Sequence, residues 1–516
     1  MTSRPLVIRG GLVPSTAQPD GARCDVEVID GVITHVGAAE PAHRWLTHDV
    51  LDAGDRVLLP GFVDVHTHAD ARAGDPDVQL ALLRQGVTTV FAGLDGLGFA
   101  PADESDYDAL GFAADYFRAI NGPPRSESAL SVAGYLAQLH ALPVRVETFV
   151  PHGLVRYAVL GAEQRPAEVA ERQRMRVIVE RAFDHGARGF STGLEYAPGG
   201  YADVTELVEL CAAAAERGLP HVTHMRGYED RATEAFAEIA EISARSGVAA
   251  HISHLHGPLA PILAMLDGAA SAGLDVTFDS YPYRHGASIL AMLALPAWLP
   301  LADRDATLVQ LSRPEVVARV HEHVVGRIAI LAPAVLSSVP GHEEFEGSTL
   351  AEVAATWAVE VPDAVIEVLV RTGLRAGCVF EQPPTNTEES VRALANHPGH
   401  MAGSDSIYIG SHPHPRGWGT FPRFLHRHLR QWQDWTWADA AEHLSTRASE
   451  RFRLTDRGVI APGYSADLVL LDPETVADRA TFAAPTRPAD GIADVLVRGE
   501  HVLRAGRLTT TTGDDR

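Results

Sequence analysis

The chain has 516 residues, 46% hydrophobic and 21% charged, a composition that suits a globular enzyme large enough for a barrel and an accessory domain. Its formal net charge of −24, from 43 basic and 67 acidic side chains, argues against nucleic acid and anionic membranes as partners, although a local cationic pocket can still take a small anion. The opening MTSRPLVIRGGLVPSTAQPD lacks a signal-length apolar run, no spanning segment follows, and Cys24, Cys211 and Cys378 form no CxxC pair; a cytoplasmic protein without a disulfide framework is expected.

From the N-terminus, PLVIRGGLVP and CDVEVIDGVITHVGAA alternate apolar and polar residues between glycine turns, the pattern of short antiparallel strands. The far end, DRGVIAPGYSADLVLLD and IADVLVRGEHVLRAGR, reads the same way. Residues 1–57 and 457–516 are therefore expected to pair into one small β-sandwich. Between them, over 58–456, apolar runs alternate with helical stretches, the mark of repeated βα units. Eight runs stand out: 61–66, 88–93, 147–151, 187–192, 220–224, 249–254, 275–281 and 400–405. VAERQRMRVIVERAFDHG and TELVELCAAAAERG are the clearest helices, each stopping at a glycine. The prediction is an α/β protein, a (β/α)8 TIM-type barrel carrying the terminal β-sandwich. Residues 285–398, too long for one connecting helix, read as an insertion over the barrel mouth.

His66 and His68 end the first run in GFVDVHTHAD, where alternate strand residues point the same way. His224 ends the fifth run, His254 the sixth, and Asp405 the eighth. Every strand of a TIM-type barrel opens its C-terminal end on one face, so these five side chains should converge. One histidine among 25 would mean little alone. Four imidazoles and a carboxylate at one mouth have the ligand chemistry of a transition-metal site, with zinc the first expectation.

These residues carry a family resemblance. GFVDVHTHAD, THMR, ISHL and GSDS resemble the motifs of the amidohydrolase superfamily. PHGLVR, GFSTGLEYAPGGYAD, DSYPY, GSDSIYIGSHPHPRGWGTFPRFL and RGVIAPGYSADLVLLDP further resemble the D-aminoacylase (N-acyl-D-amino-acid deacylase) family, over nearly the whole chain. The resemblance implies one or two zinc ions held by His66, His68, His224, His254 and Asp405, with Asp405 also the general base. It implies Tyr283 as a donor to the developing oxyanion and Arg416 as the clamp on the carboxylate of a small-molecule substrate. Arg226 competes with Arg416 for that task, and Ser288 and Tyr196 fall at pocket positions. The implied reaction is hydrolysis of an N-acyl-D-amino acid to a carboxylate and a free D-amino acid.

Two positions depart from the family's pattern. Its best-known members place a cysteine ligand after the second strand, where this chain reads GLDG; Asp95 is the expected replacement ligand. Two residues beyond the sixth-strand histidine the family often has lysine, and here His256 stands, which puts the substrate preference in question. The chain contains no lysine at all, which excludes the carbamylated-lysine bridge of hydantoinases, dihydroorotases and ureases. A mononuclear deaminase, an amidohydrolase for another small amide or D-peptide, and a non-catalytic ligand-binding barrel remain as alternatives.

Overall fold

The computed structural model describes residues 4–509, so the first three and last seven residues of the two expected terminal segments lie outside the described residues. Eight short parallel strands form the centre: β1 (Phe62–Asp64), β2 (Val87–Ala92), β3 (Arg145–Thr148 continued by Val150–Pro151), β4 (Phe190–Gly193), β5 (His221–His224), β6 (Ala250–Ile252), β7 (Val276–Ser280) and β8 (His400–Ala402). Each pairs in parallel with the next. The ring closes where the Val65 amide donates to the Ala402 carbonyl at 3.4 Å and Asp405 N to the His66 carbonyl at 2.7 Å. A short parallel pairing of Ser406–Ile407 with Thr67–His68 continues this seam. The Asp64 carboxylate reinforces it, its Oδ1 accepting from Ser404 N at 2.8 Å and from His66 N at 3.3 Å. Closure therefore brings the HxH pair just after β1 and the carboxylate after β8 to one point.

The helices follow from local chemistry. Val204–Ala215 starts where the Asp203 side chain accepts from Glu206 N and ends before Gly218 at φ +63°. Val169–Asp184 opens on a reciprocal Glu168–Glu171 capping box. Their apolar faces, Met175, Ile178, Val179, Leu207, Leu210 and Cys211 among them, are buried in the main core with the outward-facing residues of the strands.

Both chain ends enter one nine-stranded sheet. The strand Val57–Pro60 lies inside it, parallel to Leu6–Ser15 and antiparallel to Leu468–Leu471. The expected division between residues 57 and 58 thus cuts a strand of the terminal sheet, and Gly61 alone separates that strand from β1. Alternation explains why it serves two cores: Val57, Leu59, Val469 and Leu471 face the barrel, while Leu58, Leu468 and Leu470 close the terminal layer. Each fully buried side chain of this kind contributes about 1.5–3 kcal/mol, which fastens the two units together.

The long segment after β7 holds its own antiparallel sheet of His285–Ile289, Gly377–Glu381 and Val335–Ser338, with the second of these central. Helices around it bury a separate apolar cluster that includes Leu290, Val320, Leu336 and Leu369. The helix Glu388–Ala395 instead packs on β7 and β8, so the last part of the expected 285–398 insertion belongs to the barrel layer. No helix among the described residues is long and apolar enough to cross a membrane.

Candidate metal centre

Asp95 stands at the middle of the barrel mouth. Its Oδ2 lies 3.5 Å from His66 Nε2, 3.6 Å from His68 Nε2, 3.7 Å from His224 Nδ1 and 3.5 Å from His254 Nε2. Asp405 Oδ1 lies 3.7 Å from His66 Nε2 and 3.3 Å from His68 Nε2. Two overlapping ligand sets result: His66, His68, Asp95 and Asp405, and Asp95, His224 and His254, all buried. Asp95 is common to both.

The backbone is bent to achieve this. Asp95, His254 and Asp405 have φ of +53°, +36° and +52°, in a region that residues with a Cβ seldom adopt. Such strain costs about 1–3 kcal/mol each and gathers at functional sites. Around Asp95 the space is cleared by glycine. A Cβ on Gly193 would lie 1.9 Å from the Asp95 carbonyl oxygen, and one on Gly153 would lie 2.7 Å from the Gly96 carbonyl oxygen. The loop after β2 therefore nests directly on the ends of β3 and β4.

Partners behind the ligands fix which nitrogen each imidazole presents. His66 Nδ1 donates to Asp279 Oδ2 at 3.3 Å, and His68 Nδ1 to Asn121 Oδ1 at 3.2 Å, so both turn Nε2 inward. Asp279 also accepts from His251 Nε2 at 3.1 Å and from His254 N at 2.9 Å. His224 is reversed: its Nε2 lies 2.9 Å from Glu195 Oε2 and its Nδ1 faces Asp95.

This donor set fits a metal. Among the described residues His66 Nε2 and Asp95 Oδ1 are buried without a hydrogen-bond partner, and the other ring nitrogens of His66, His68 and His224 are already engaged. Burial alone would raise the Asp95 carboxyl, but the charge of His66 and bonds from His224, His254 and His66 outweigh it and hold it well below the usual range. Burial likewise opposes ionisation of Asp405, and the Arg416 guanidinium with His68 overcomes it, placing the carboxyl at about 2. Both carboxylates favour the ionised form a ligand needs; the same carboxylates, against burial, raise His66, His68 and His224, which must give up that proton for a metal to bind.

The remaining expected residues divide. Arg416 is fully buried at the start of the helix Arg416–Leu425, with Nη1 2.9 Å from Asp405 Oδ2 and its guanidinium 4.6 Å above the Tyr281 ring. None of its three nitrogens has a well-aligned acceptor among the described residues. Arg226, by contrast, is spent on Glu238 and on the carbonyls of Gly200 and Ala202, which ties down the loops after β4 and β5. Tyr196 OH is 3.2 Å from Ser288 Oγ, and its ring meets the edge of His224 at 5.1 Å, which places both pocket residues beside the centre. His256 donates from Nδ1 to the His254 carbonyl at 2.7 Å and stacks on Tyr228 at 4.7 Å. Tyr283 borders a small cavity with His254 and His256, but its hydroxyl lies against Gly419 near Asp478 and has no partner among the described residues, while Arg423 covers its ring at 4.5 Å. Cys211 and Cys378 are buried in apolar clusters, Cys24 belongs to the terminal sheet, and none takes part in either ligand set.

The reading of the sequence missed Asp279, Asn121 and Glu195. Asp279 stood in DSYPY at the end of a run and Glu195 in GLEY beside the chosen Tyr196, so both were within reach. Asn121 carries no local signal, because only the fold brings the helix Arg118–Asn121 to His68.

Buried imidazoles and carboxylates converging at the C-terminal mouth of a parallel barrel define a metal-dependent amidohydrolase. The chain belongs to the amidohydrolase family, whose model matches residues 49–503. It is 32% identical over 503 residues to the N-acyl-D-glutamate deacylase of Alcaligenes xylosoxydans xylosoxydans, covering 96% of this chain and 92% of that one. The D-aminoacylase of the same organism is 31% identical over 513 residues, covering 98% and 95%. Among solved structures, the N-acyl-D-glutamate deacylase of Bordetella bronchiseptica, complexed with zinc and a phosphonate mimic of the tetrahedral intermediate, superposes with a TM-score of 0.78 at 30% identity, covering 97% of this chain and 96% of that one.

Proposed function

We propose that the protein hydrolyses the amide bond of N-acyl-D-amino acids, giving a carboxylate and a free D-amino acid. The observation that carries this reading is the doubled ligand set sharing Asp95, with a buried arginine lacking aligned acceptors beside it, in a chain related end to end to D-specific deacylases. His66, His68, Asp95 and Asp405 would hold one zinc, and His224, His254 and Asp95 a second. When bound, zinc lowers the pKa of a water and polarises the acyl carbonyl.

The chain's own groups do the rest. Asp405 accepts the proton of the attacking water and returns it to the leaving amine nitrogen. Arg416 receives the substrate carboxylate on its free N–H groups, which fixes the chiral carbon relative to Asp405. The family resemblance, rather than its present contacts with Gly419 and Arg423, assigns Tyr283 the hydrogen bond to the oxyanion. Tyr196 and Ser288 wall the pocket. The net charge of −24 suits an enzyme of small molecules rather than of nucleic acid or anionic membranes, and a cytoplasmic location is proposed with it.

The test is metal analysis of the purified protein followed by N-acetyl-D- and N-acetyl-L-amino acid panels with and without zinc. D-selective release of acetate is expected. Bound zinc with no acetate from any member of the panel, and ammonia from deaminase substrates, would replace this reading by a deaminase.

A further inference from the structure

The histidines of the centre are not oriented alike, and His224 Nδ1 and His254 Nε2 lie 3.0 Å apart, both turned inward. His66 and His68 have Nδ1 tied to Asp279 and Asn121 and offer Nε2. His224 offers Nδ1, the nitrogen nearer its own backbone, and turns Nε2 toward the mouth, where Glu195 Oε2 accepts at 2.9 Å. Glu195 comes from the loop immediately after β4, and Leu194 N binds the His224 carbonyl at 3.0 Å, so loop and ligand move as one piece. The edges of Tyr196 and Tyr228 flank the imidazole at 5.1 Å each. The Glu195 side chain is 35% exposed, against 8% for His224. An acid in that position has access to water, and it spends one carboxylate oxygen on a buried imidazole instead.

We infer that Glu195 is a positioning residue for the metal centre: it holds the Nε2 proton of His224, so that Nδ1 is the ligating nitrogen and the His224–His254 half of the centre is formed. This rests on the metal reading above, but not on the identity of the substrate. Without the carboxylate the ring loses its hydrogen bond at Nε2, and the half-site loses one negative charge. Both changes weaken metal binding there. The half built from His66, His68 and Asp405 keeps its own supports, Asp279 and Asn121, which Glu195 does not touch.

The experiment is zinc titration of the metal-free full-length protein against a competing chelator, comparing wild type, Glu195→Ala and Glu195→Gln. In the alanine variant one of the two zinc affinities should fall by about 10–100-fold, the usual cost of losing such a partner, with the other unchanged. Glutamine, whose amide oxygen can still accept the Nε2 proton, should recover most of the loss. Two unchanged affinities in the alanine variant would overturn the inference. A zinc-loaded crystal structure of the wild type, which needs no variant to fold, would also overturn it by showing Nε2 of His224 on the ion. Failure of the underlying reading looks different, because the wild type itself would then bind no zinc.

Discussion

Replacing Gly193 by alanine adds one methyl group at the point where the second-strand loop rests on the barrel. The Cβ would sit 1.9 Å from the Asp95 carbonyl oxygen, 2.7 Å from its carbonyl carbon and 2.9 Å from Tyr196 Cδ2. Gly193 is an extended residue of β4 and is absent from the positive-φ glycines, so alanine can adopt its backbone and the effect is steric alone. The obstacle is main chain and cannot rotate away. Restoring even a 3.0 Å contact requires a retreat of roughly 1 Å, in the size range where misplacement costs a catalytic site about 100-fold. That retreat carries Asp95 off the point where its Oδ2 is nearly equidistant from four imidazoles.

The expected outcome is a loss of kcat of about 100-fold together with weaker binding of both zinc ions, since Asp95 is common to both sets. Overpacking should cost only about 1–3 kcal/mol of stability, so the variant should remain folded. Steady-state kinetics on N-acetyl-D-amino acids, chelator competition and thermal melting measure the three quantities. Gly268→Ala, on the helix Leu259–Ser271 with nothing within 4 Å of its new Cβ, is the matched control and should stabilise by about 0.5–1 kcal/mol. Wild-type kcat and zinc affinity in Gly193→Ala would refute the claim that this contact seats Asp95.

Other expectations follow from single contacts. Asp405→Asn should retain zinc through the remaining ligands and lose about 10²–10⁴-fold in kcat, the worth of a general base; ordinary turnover would remove Asp405 from that role. Arg416→Ala should raise KM for carboxylate-bearing substrates and, because Nη1 also lies 2.9 Å from Asp405, lower kcat as well; a change in KM alone would confine Arg416 to binding. Stability should fall in mild acid. Burial and Arg447 press His443 down to about 3, burial overcoming the Asp434 contact leaves His428 at about 4, and burial with His152 nearby puts His221 at about 3. In the unfolded chain each titrates near 6.5, so the unfolded state binds more protons below that pH. Their stabilising contribution is complete above about pH 6.5 and is lost as pH falls toward 4, by up to about 1.4 kcal/mol per pH unit for each ring. Melting temperatures from pH 8 to 4.5 should show this slope, and His443→Gln should flatten it; a flat wild-type profile would contradict the burial argument.

Much of this was legible in the sequence because it depends on period and end position. Each of the eight apolar runs overlaps a barrel strand, five of them enclosing it whole, and a histidine closing such a run faces the mouth. What sequence could not supply was depth and direction. Nothing in GLDG says that Asp95 lies midway between two pairs of imidazoles; that requires Gly193 of β4 and Gly153 in the first turn of the helix after β3 to admit the loop. The ring orientation of His224 depends on Glu195, 29 residues earlier, and that of His66 on Asp279, 213 residues later. Arg226 and Arg416 looked alike as letters. Only the fold shows one pinned between loops and the other buried beside Asp405.

The shared carboxylate also makes a prediction about the metal itself. A thiolate is a soft ligand and a carboxylate a hard one, so replacing the family's cysteine by Asp95 shifts the centre toward oxygen-preferring ions. The swap is sterically reasonable: a thiolate sulfur lies nearer the backbone than a carboxylate oxygen, but zinc–sulfur bonds, at about 2.3 Å, are longer than the 2.0–2.2 Å typical of zinc–oxygen, which compensates in part. The wild type should consequently tolerate manganese or cobalt in place of zinc better than a thiolate-bridged centre would. Asp95→Cys should raise cadmium and zinc affinity relative to manganese at a modest cost in stability, since φ of +53° suits aspartate better than cysteine. Competition between cadmium and manganese for the two metal-free proteins gives the answer in one ratio. An unchanged ratio would mean that Asp95 does not bind the ions, and that the four imidazoles surround it only to neutralise a buried charge.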